Sequence, residues 1–295
     1  MMNSIIEDIK RSFDSGNMIT RLIIVNVAVF MFLALFNAFV PSVYTSFSNW
    51  IYIPSSPIKL LTRPWTILTH MFAHLGMWHM AFNMLILYWF GRIVGDLLND
   101  RRILPLYLLG GFAGAVAYFL VTNFAGVTGG NAHGASAAVL CIVAAAAWTS
   151  PNYTVRLLFL GDVKIKWIAA AVIFVNVLAT QGNINTGGAW GHLGGLAFGA
   201  YYVWQLRKGS DITEPMQDTI NWIADKYNGI PKKKKTSLKV THVAAKKRSI
   251  KKQRTSTNSR GLQKQVDVIL DKIKVNGYDS LTDEEKEILF TASKK

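Results

Sequence analysis

Four side chains in apolar surroundings carry groups that could do chemistry together. Ser136 opens an apolar run within Gly134-Ala135-Ser136-Ala137. His192 stands near the start of another, within Gly191-His192-Leu193-Gly194-Gly195, and His79 and Asn83 sit four residues apart on a third. Polar and ionisable side chains are costly in lipid, so by default those found there mark a functional site. A hydroxyl, an imidazole and two further hydrogen-bonding groups supply a nucleophile, a base and oxyanion partners, the minimum for acyl transfer.

Each residue also has a plainer reading. Ser is a favoured N-cap, so Ser136 can simply start a helix. His192 can be a buried histidine bonded to a backbone carbonyl, and His79 with Asn83 can bond between helices for structure alone. The local context bears on the choice. Gly129, Gly130 and Gly134 precede Ser136 and allow a tight non-helical approach. Backbone N–H groups at a helix start can face a developing oxyanion. Gly191, Gly195 and Gly199 recur every four residues and line one helix face, a pattern that lets helices pack closely. Such packing against the Ser136 helix would bring the imidazole within about 3 Å of the hydroxyl, the reach of a general base. His70 and His74 have an i,i+4 spacing that can bind zinc on a helix. No Glu lies between them, and no carboxylate or cysteine follows nearby, so neither a metal nor any other cofactor is expected. His133, three residues before Ser136, reads as a solvated loop histidine beside the site.

The elements that must position these groups are membrane spans. Of 295 residues, 51% are hydrophobic and only 17% charged, too apolar for an ordinary soluble domain. Six apolar segments can be drawn, at 21–40, 65–90, 103–124, 135–148, 167–180 and 188–206. The fourth and fifth are short against the roughly 20 residues a bilayer needs, which hints at a water-filled cavity reaching partway in. The lead before the first segment mixes charges (Glu7, Asp8, Lys10, Arg11) and does not read as a cleaved signal peptide. The lone Cys141 cannot form an internal disulfide and reads as a small packing residue.

Positive charge orients the spans. One set of loops holds Lys10, Arg11 and Arg21, then Arg92, Arg101 and Arg102, then Arg156, Lys164 and Lys166, then the tail from Arg207. The opposite loops hold only Lys59 and Arg63. Both termini are therefore expected in the cytoplasm. Segments two, four and six then run inwards, which puts His79, Ser136 and His192 at similar depth in the outer half. One shared site accounts for that match.

Net charge is +15, and residues 207–295 carry 21 Lys+Arg against 11 Asp+Glu. Basic runs at 232–235, 246–248 and 251–254 follow the last span and could be drawn to anionic lipid. They lack interleaved aromatics, so nucleic acid is not expected as a partner. Val266, Ile269, Leu270 and Ile273 then share a helical face, Asn276-Gly277 marks a turn, and Thr282 with Glu285 resembles a capping box. The expected organisation is a cytoplasmic segment at 1–20, a six-helix membrane domain at 21–206, a basic linker at 207–260 and a small helical module at 261–295.

With these residues together, the chain resembles a rhomboid intramembrane serine protease over roughly residues 20–206. Gly134-Ala135-Ser136-Ala137 is similar to the family's Gly-x-Ser-x nucleophile motif. His192 with Gly195 and Gly199 is similar to its His-x-x-Gly-x-x-x-Gly pattern, and His79 with Asn83 to its His-x-x-x-Asn. The stretch RPWTILTHMFAH at 63–74 is similar to the family's run from the first outer loop into span two. The motifs also come in the family's order.

The resemblance implies an all-α, six-transmembrane-helix bundle with a small cytoplasmic helical tail. It implies a Ser136–His192 dyad, with His79, Asn83 and the Ser136 N–H stabilising the oxyanion, and Gly134, Gly191, Gly195 and Gly199 shaping the site. It implies transmembrane proteins as substrates, in a membrane expected to be a prokaryotic inner membrane. Three departures bear on the fit of the substrate pocket and first loop: Ala137 where many members have Gly, Gly191 where many have Ala, and Arg63 ahead of Pro64-Trp65 where the family often shows Trp-Arg. The alternative is a catalytically inactive relative that binds membrane proteins without cutting them. Such relatives usually lack the serine or the histidine, and this chain keeps both. A transporter would favour internal repeats and a polar path across the bilayer, and neither is evident.

Overall fold

A computed structural model of the chain describes residues 2–127, 129–157, 161–179, 186–227, 257–276 and 278–293. It divides into two compact units, Met1–Lys232 and Lys233–Lys295. The first is a helical membrane bundle. An amphipathic helix α1 (Met2–Ser15) leads into α2 (Met18–Phe39), which Asn17 caps by accepting from the Thr20 N–H. The Asp100 carboxylate accepts the Met18 N–H through both oxygens at 2.9 and 3.1 Å, placing an anion at the positive end of that helix. Pro41 then starts α3 (Pro41–Ser48), and Pro57 starts α4 (Pro57–Thr62), each at a first-turn position where a missing N–H costs little. Between them lies the short strand β1 (Ile53–Pro54).

The second expected span is corrected. Residues 66–72 form a separate helical turn α5 (Thr66–Thr69) and a 3₁₀ turn (His70–Phe72), and the long helix α6 runs over Met77–Leu98. Ala73 and Gly76 are both extended and break the run. The break is apolar in composition, so hydropathy alone joins what the backbone separates. At 22 residues and 1.5 Å each, α6 is still about 33 Å long, enough to span.

Asn99 (φ 89°) turns the chain into a 3₁₀ turn and α7 (Ile103–Phe124). Strand β2 (Asn131–Ala132) pairs antiparallel with β1, Ile53 opposite Ala132. Helix α8 (Ser136–Thr149) follows, then a hairpin of β3 (Thr154–Leu157) and β4 (Gly161–Lys164), then α9 (Ile165–Ala179) and α10 (Thr186–Arg207). Among the described residues, Met18–Phe39, Met77–Leu98 and Asp100–Phe124 are long and apolar enough to cross a membrane; α8 and α9 are shorter apolar helices.

Helix α8 is the centre of the bundle, buried without interruption from Ala137 to Ala147. Helices α7 and α10 flank it at backbone distance. A Cβ at Gly195 would fall inside the Ala137 carbonyl oxygen's envelope, and one at Gly199 inside that of Cys141. A Cβ at Gly114 would collide with that of Ala137, and one at Gly191 would come within 3.3 Å of the Gly114 carbonyl oxygen. The glycine stripe of α10 is thus a packing face on α8 and α7. Farther out, Tyr107 ties three elements together. Its hydroxyl donates to the Met71 carbonyl at 2.9 Å and lies 3.1 Å from the buried amide of Asn26 on α2.

On the opposite side of the bundle from Ser136, Arg102 pairs with Asp211 at 2.8 Å, and Asp211 also accepts from the Thr213 N–H and hydroxyl. Helix α11 (Glu214–Tyr227) starts just after this turn and corrects the linker expected over 207–260. The start signal is Asp211-Ile212-Thr213-Glu214-Pro215, a side-chain-capped turn followed by Pro in the first helical turn. The basic runs at 232–254 lie outside the described residues.

The second unit holds α12 (Thr257–Asn276) and α13 (Asp283–Ser293). The Thr282 N–H donates to Glu285 at 2.9 Å and the Glu285 N–H lies 3.4 Å from the Thr282 hydroxyl, the reciprocal pattern of a capping box. Glu285 also pairs with Lys272 at 2.8 Å. Ile269 is buried, whereas Leu270, expected on the same face, is exposed.

Candidate active site

Ser136 is the first residue of α8, but it is not the cap. Ala135 holds that position with no side-chain hydrogen bond, which removes the plainer reading of the serine. Its hydroxyl lies 2.6 Å from His192 Nε2, across 56 residues of sequence. With Nε2 as acceptor the hydroxyl donates to it, and the imidazole carries its proton on Nδ1. That Nδ1 is buried with no hydrogen-bond partner among the described residues, so no carboxylate orients the ring. The orientation comes from the backbone contacts of α10 with α7 and α8 just described.

Ahead of Ser136 the chain makes a turn that only glycine accepts readily. Gly134 has φ +112°, and a Cβ there would stand 2.8 Å from His79 Cε1. The Gly134 N–H donates to the His70 carbonyl at 2.8 Å, and the Ala135 N–H donates to His74 Nε2 at 3.3 Å. His70 Nδ1 lies 2.9 Å from the Thr66 carbonyl. The pair that suggested a metal thus braces the loop that presents the serine. Sequence reasoning missed this role. The signal was the invitation of two histidines just ahead of the His79 helix, but their partners lie 61 and 64 residues away.

His79 faces the same cavity, with ring centroids 5.3 Å from His74 and 6.4 Å from His133. Five of the chain's six histidines therefore surround the Ser136 loop. His133 is not a freely solvated loop residue as expected. It packs on Tyr52 at 4.8 Å between ring centroids, and its Nδ1 is 3.4 Å from the Asn131 carbonyl. Burial holds His133 below its ordinary range; the Asn131 carbonyl opposes this and His79 adds to it. Asn83 is buried one turn along α6, where its amide donates to the His79 carbonyl at 2.8 Å. It does not line the cavity.

The cavity holds about 360 Å³ and is bounded by Ser136, His192, His79, His70, His133, Tyr118, Gly114 and Gly191, with Ile53 and Ala132 of the β1–β2 pair at its edge. The Tyr118 hydroxyl donates to the Gly130 carbonyl and anchors the loop before β2. Above it, Arg63 stacks on Trp50 (4.2 Å) and donates to the Asn49 carbonyl, while Trp65 stacks parallel to Trp50. The Trp and Arg that stand apart in sequence meet in the segment between α2 and α6.

A serine hydroxyl on an imidazole nitrogen, at the N-terminus of a central helix and open to a histidine-lined cavity within a helical membrane bundle, is an arrangement suited to acyl transfer. Residues 61–209 match the Rhomboid domain, and residues 252–295 match a family of unknown function. The chain belongs to the rhomboid family. It is 30% identical over 158 residues to "RHOMBOID-like protein 12, mitochondrial" of Arabidopsis thaliana, covering 49% of this chain and 47% of that protein. It is 28% identical over 204 residues to the human "Presenilin-associated rhomboid-like protein, mitochondrial", covering 64% and 48%. To "Rhomboid protease GluP" of Bacillus subtilis (strain 168) it is 28% identical over 137 residues, covering 46% and 25%. The chain thus spans half or less of the length of these relatives.

Proposed function

We propose that this chain is an intramembrane serine endopeptidase that cuts membrane proteins in or near a transmembrane segment. The observation that carries the reading is the 2.6 Å approach of the Ser136 hydroxyl to His192 Nε2 at the cavity wall. Ser136 Oγ attacks the peptide carbonyl carbon as His192 Nε2 takes the hydroxyl proton. The oxyanion is held by His79 and by the free N–H groups at the start of α8, while Asn83, outside the cavity, steadies the His79 turn of α6 through the His79 carbonyl. His192 then protonates the leaving amine, and the C–N bond breaks. A water from the cavity, deprotonated by His192, attacks the acyl-Ser136 ester; the acyl C–Oγ bond breaks as His192 returns the proton to Ser136 Oγ, freeing the serine and the carboxylic acid product. The proposed membrane is a prokaryotic inner membrane with both termini cytoplasmic. The loop charges support the orientation and the compact six-span layout supports the membrane, while the relatives named above are both mitochondrial and bacterial.

The test uses the full chain in liposomes with a generic single-span substrate, beside Ser136→Ala and His192→Ala. Cleavage by the parent and a loss of at least about 10³-fold in both variants is expected. Cleavage that survives Ser136→Ala overturns the mechanism. A parent that binds the substrate without cutting it overturns the enzyme reading.

A further inference from the structure

At the far end of α8 from Ser136, about 20 Å along the helix axis, a second cavity opens between α8, α9 and α10. It holds about 330 Å³. Its wall is apolar, formed by Ala147, Ala169, Ala170 and Ile173, and its mouth carries Lys166 and Arg207 beside the half-exposed Trp148. Among the described residues, no carboxylate lines it. Arg207 donates to the Trp148 carbonyl, which fixes the guanidinium at the rim and engages one of its five N–H donors. Lys166 sits in the first turn of α9 with its ammonium over Trp167, itself exposed. Trp148 lies in the last turn of α8 and Trp167 in the first turn of α9, where indoles mark a membrane interface, and two cations lining the same cavity match a phosphate. The small side chains leave a slot that the protein does not fill. A second cavity at this end holds Arg92 and Arg156, but Asp96 lines it too and weakens its match to an anion.

We propose that the cavity between α8, α9 and α10 seats one anionic diacyl phospholipid, its phosphate between Lys166 and Arg207 and an acyl chain along Ala169, Ala170 and Ile173. The charge at the mouth selects the headgroup, and the apolar slot selects a lipid over a free phosphate. The seat is part of the membrane bundle and separate from the basic tail. It does not depend on the proposed proteolysis, and its test does not read activity.

The full chain is reconstituted in phosphatidylcholine vesicles carrying a trace of phosphatidylglycerol with a photoreactive diazirine on the acyl chain, or the matching phosphatidylcholine probe. Labelling of residues 166–173 is read by peptide mass spectrometry relative to labelling of α2. The tail attracts the anionic probe equally in all variants, so this ratio isolates the seat. The phosphatidylglycerol probe is expected to label 166–173 about tenfold more than the phosphatidylcholine probe. Lys166→Gln with Arg207→Gln should bring it down to the phosphatidylcholine level. Ala170→Trp, which fills the slot and keeps both charges, should remove labelling and decides the matter if the double variant fails to fold. Equal labelling by the two headgroups overturns the proposal. So does labelling that persists in Ala170→Trp.

Discussion

Helices α8 and α9 are nearly the same length, 14 and 15 residues, and both are predominantly apolar. One is the buried axis of the bundle and the other lies at its rim. Every residue from Ala137 to Ala147 in α8 is buried, whereas in α9 Ile165 and Ala169 are buried while Phe174 and Val175 are 62% and 64% exposed. The difference is size. In lipid, apolar character does not drive helices together, so close packing of small side chains selects the centre. Helix α8 carries alanines and a cysteine against the glycines of α7 and α10; α9 carries Trp167, Phe174 and Val175 outward. The site sits where packing is tightest, because the Ser136–His192 distance is set by backbone contact and not by a third side chain.

Four substitutions break or sharpen this contrast. The largest effect is expected from Gly195→Val, whose Cβ must displace the Ala137 backbone. Thermal unfolding should show a loss of about 3 kcal/mol or more, with no cleavage left. A mild Gly195→Val would remove the claim that α8 and α10 touch by backbone. Gly134→Ala comes next. Its φ of +112° and the His79 ring should cost about 1–3 kcal/mol, and a displaced serine about 10²-fold in turnover. Unchanged kinetics would mean that the loop does not set the serine.

Asp211→Asn tests the tie of the α10–α11 turn to Arg102, with an expected loss of about 1–2 kcal/mol at neutral pH. Burial alone would raise the Asp211 carboxyl, but the Thr213 hydroxyl and N–H and the Arg102 guanidinium outweigh it and hold it below its ordinary 3.8. A carboxylate depressed in the folded state stabilises above the unfolded value and loses that contribution as pH falls through the folded one. The wild type should therefore lose stability below about pH 3.8 that Asp211→Asn does not have to lose. Parallel acid-unfolding curves would refute this. The smallest effect is expected from Phe174→Leu on α9, within about 0.5 kcal/mol by the same thermal assay. A loss matching that of Gly195→Val would erase the distinction between axis and rim.

Much of this was legible in the residues. Apolar runs marked the spans, the four-residue glycine spacing marked a packing face, and Thr282 with Glu285 marked a helix start that the structure contains. The break at 73–76 was not, because Ala73 and Gly76 are compatible with an apolar helix and the chain is turned there by bonds to a loop some 60 residues on. Helix α11 was masked by the charge of its surroundings. Leu270 was misplaced because a face drawn by periodicity does not say which part of it a partner helix covers.

The order of motifs, the apolar spans and the set of groups with chemistry to offer are properties of the linear chain, since composition and periodicity act over one or two helical turns. Tertiary structure decided that the Ser136 hydroxyl meets His192 and that His70 and His74 brace the loop before it. The bracing histidines and the Ser136–His192 approach depend on distances between elements far apart in sequence, and for α7, α8 and α10 these are set by how closely Gly114, Gly195 and Gly199 let three backbones approach.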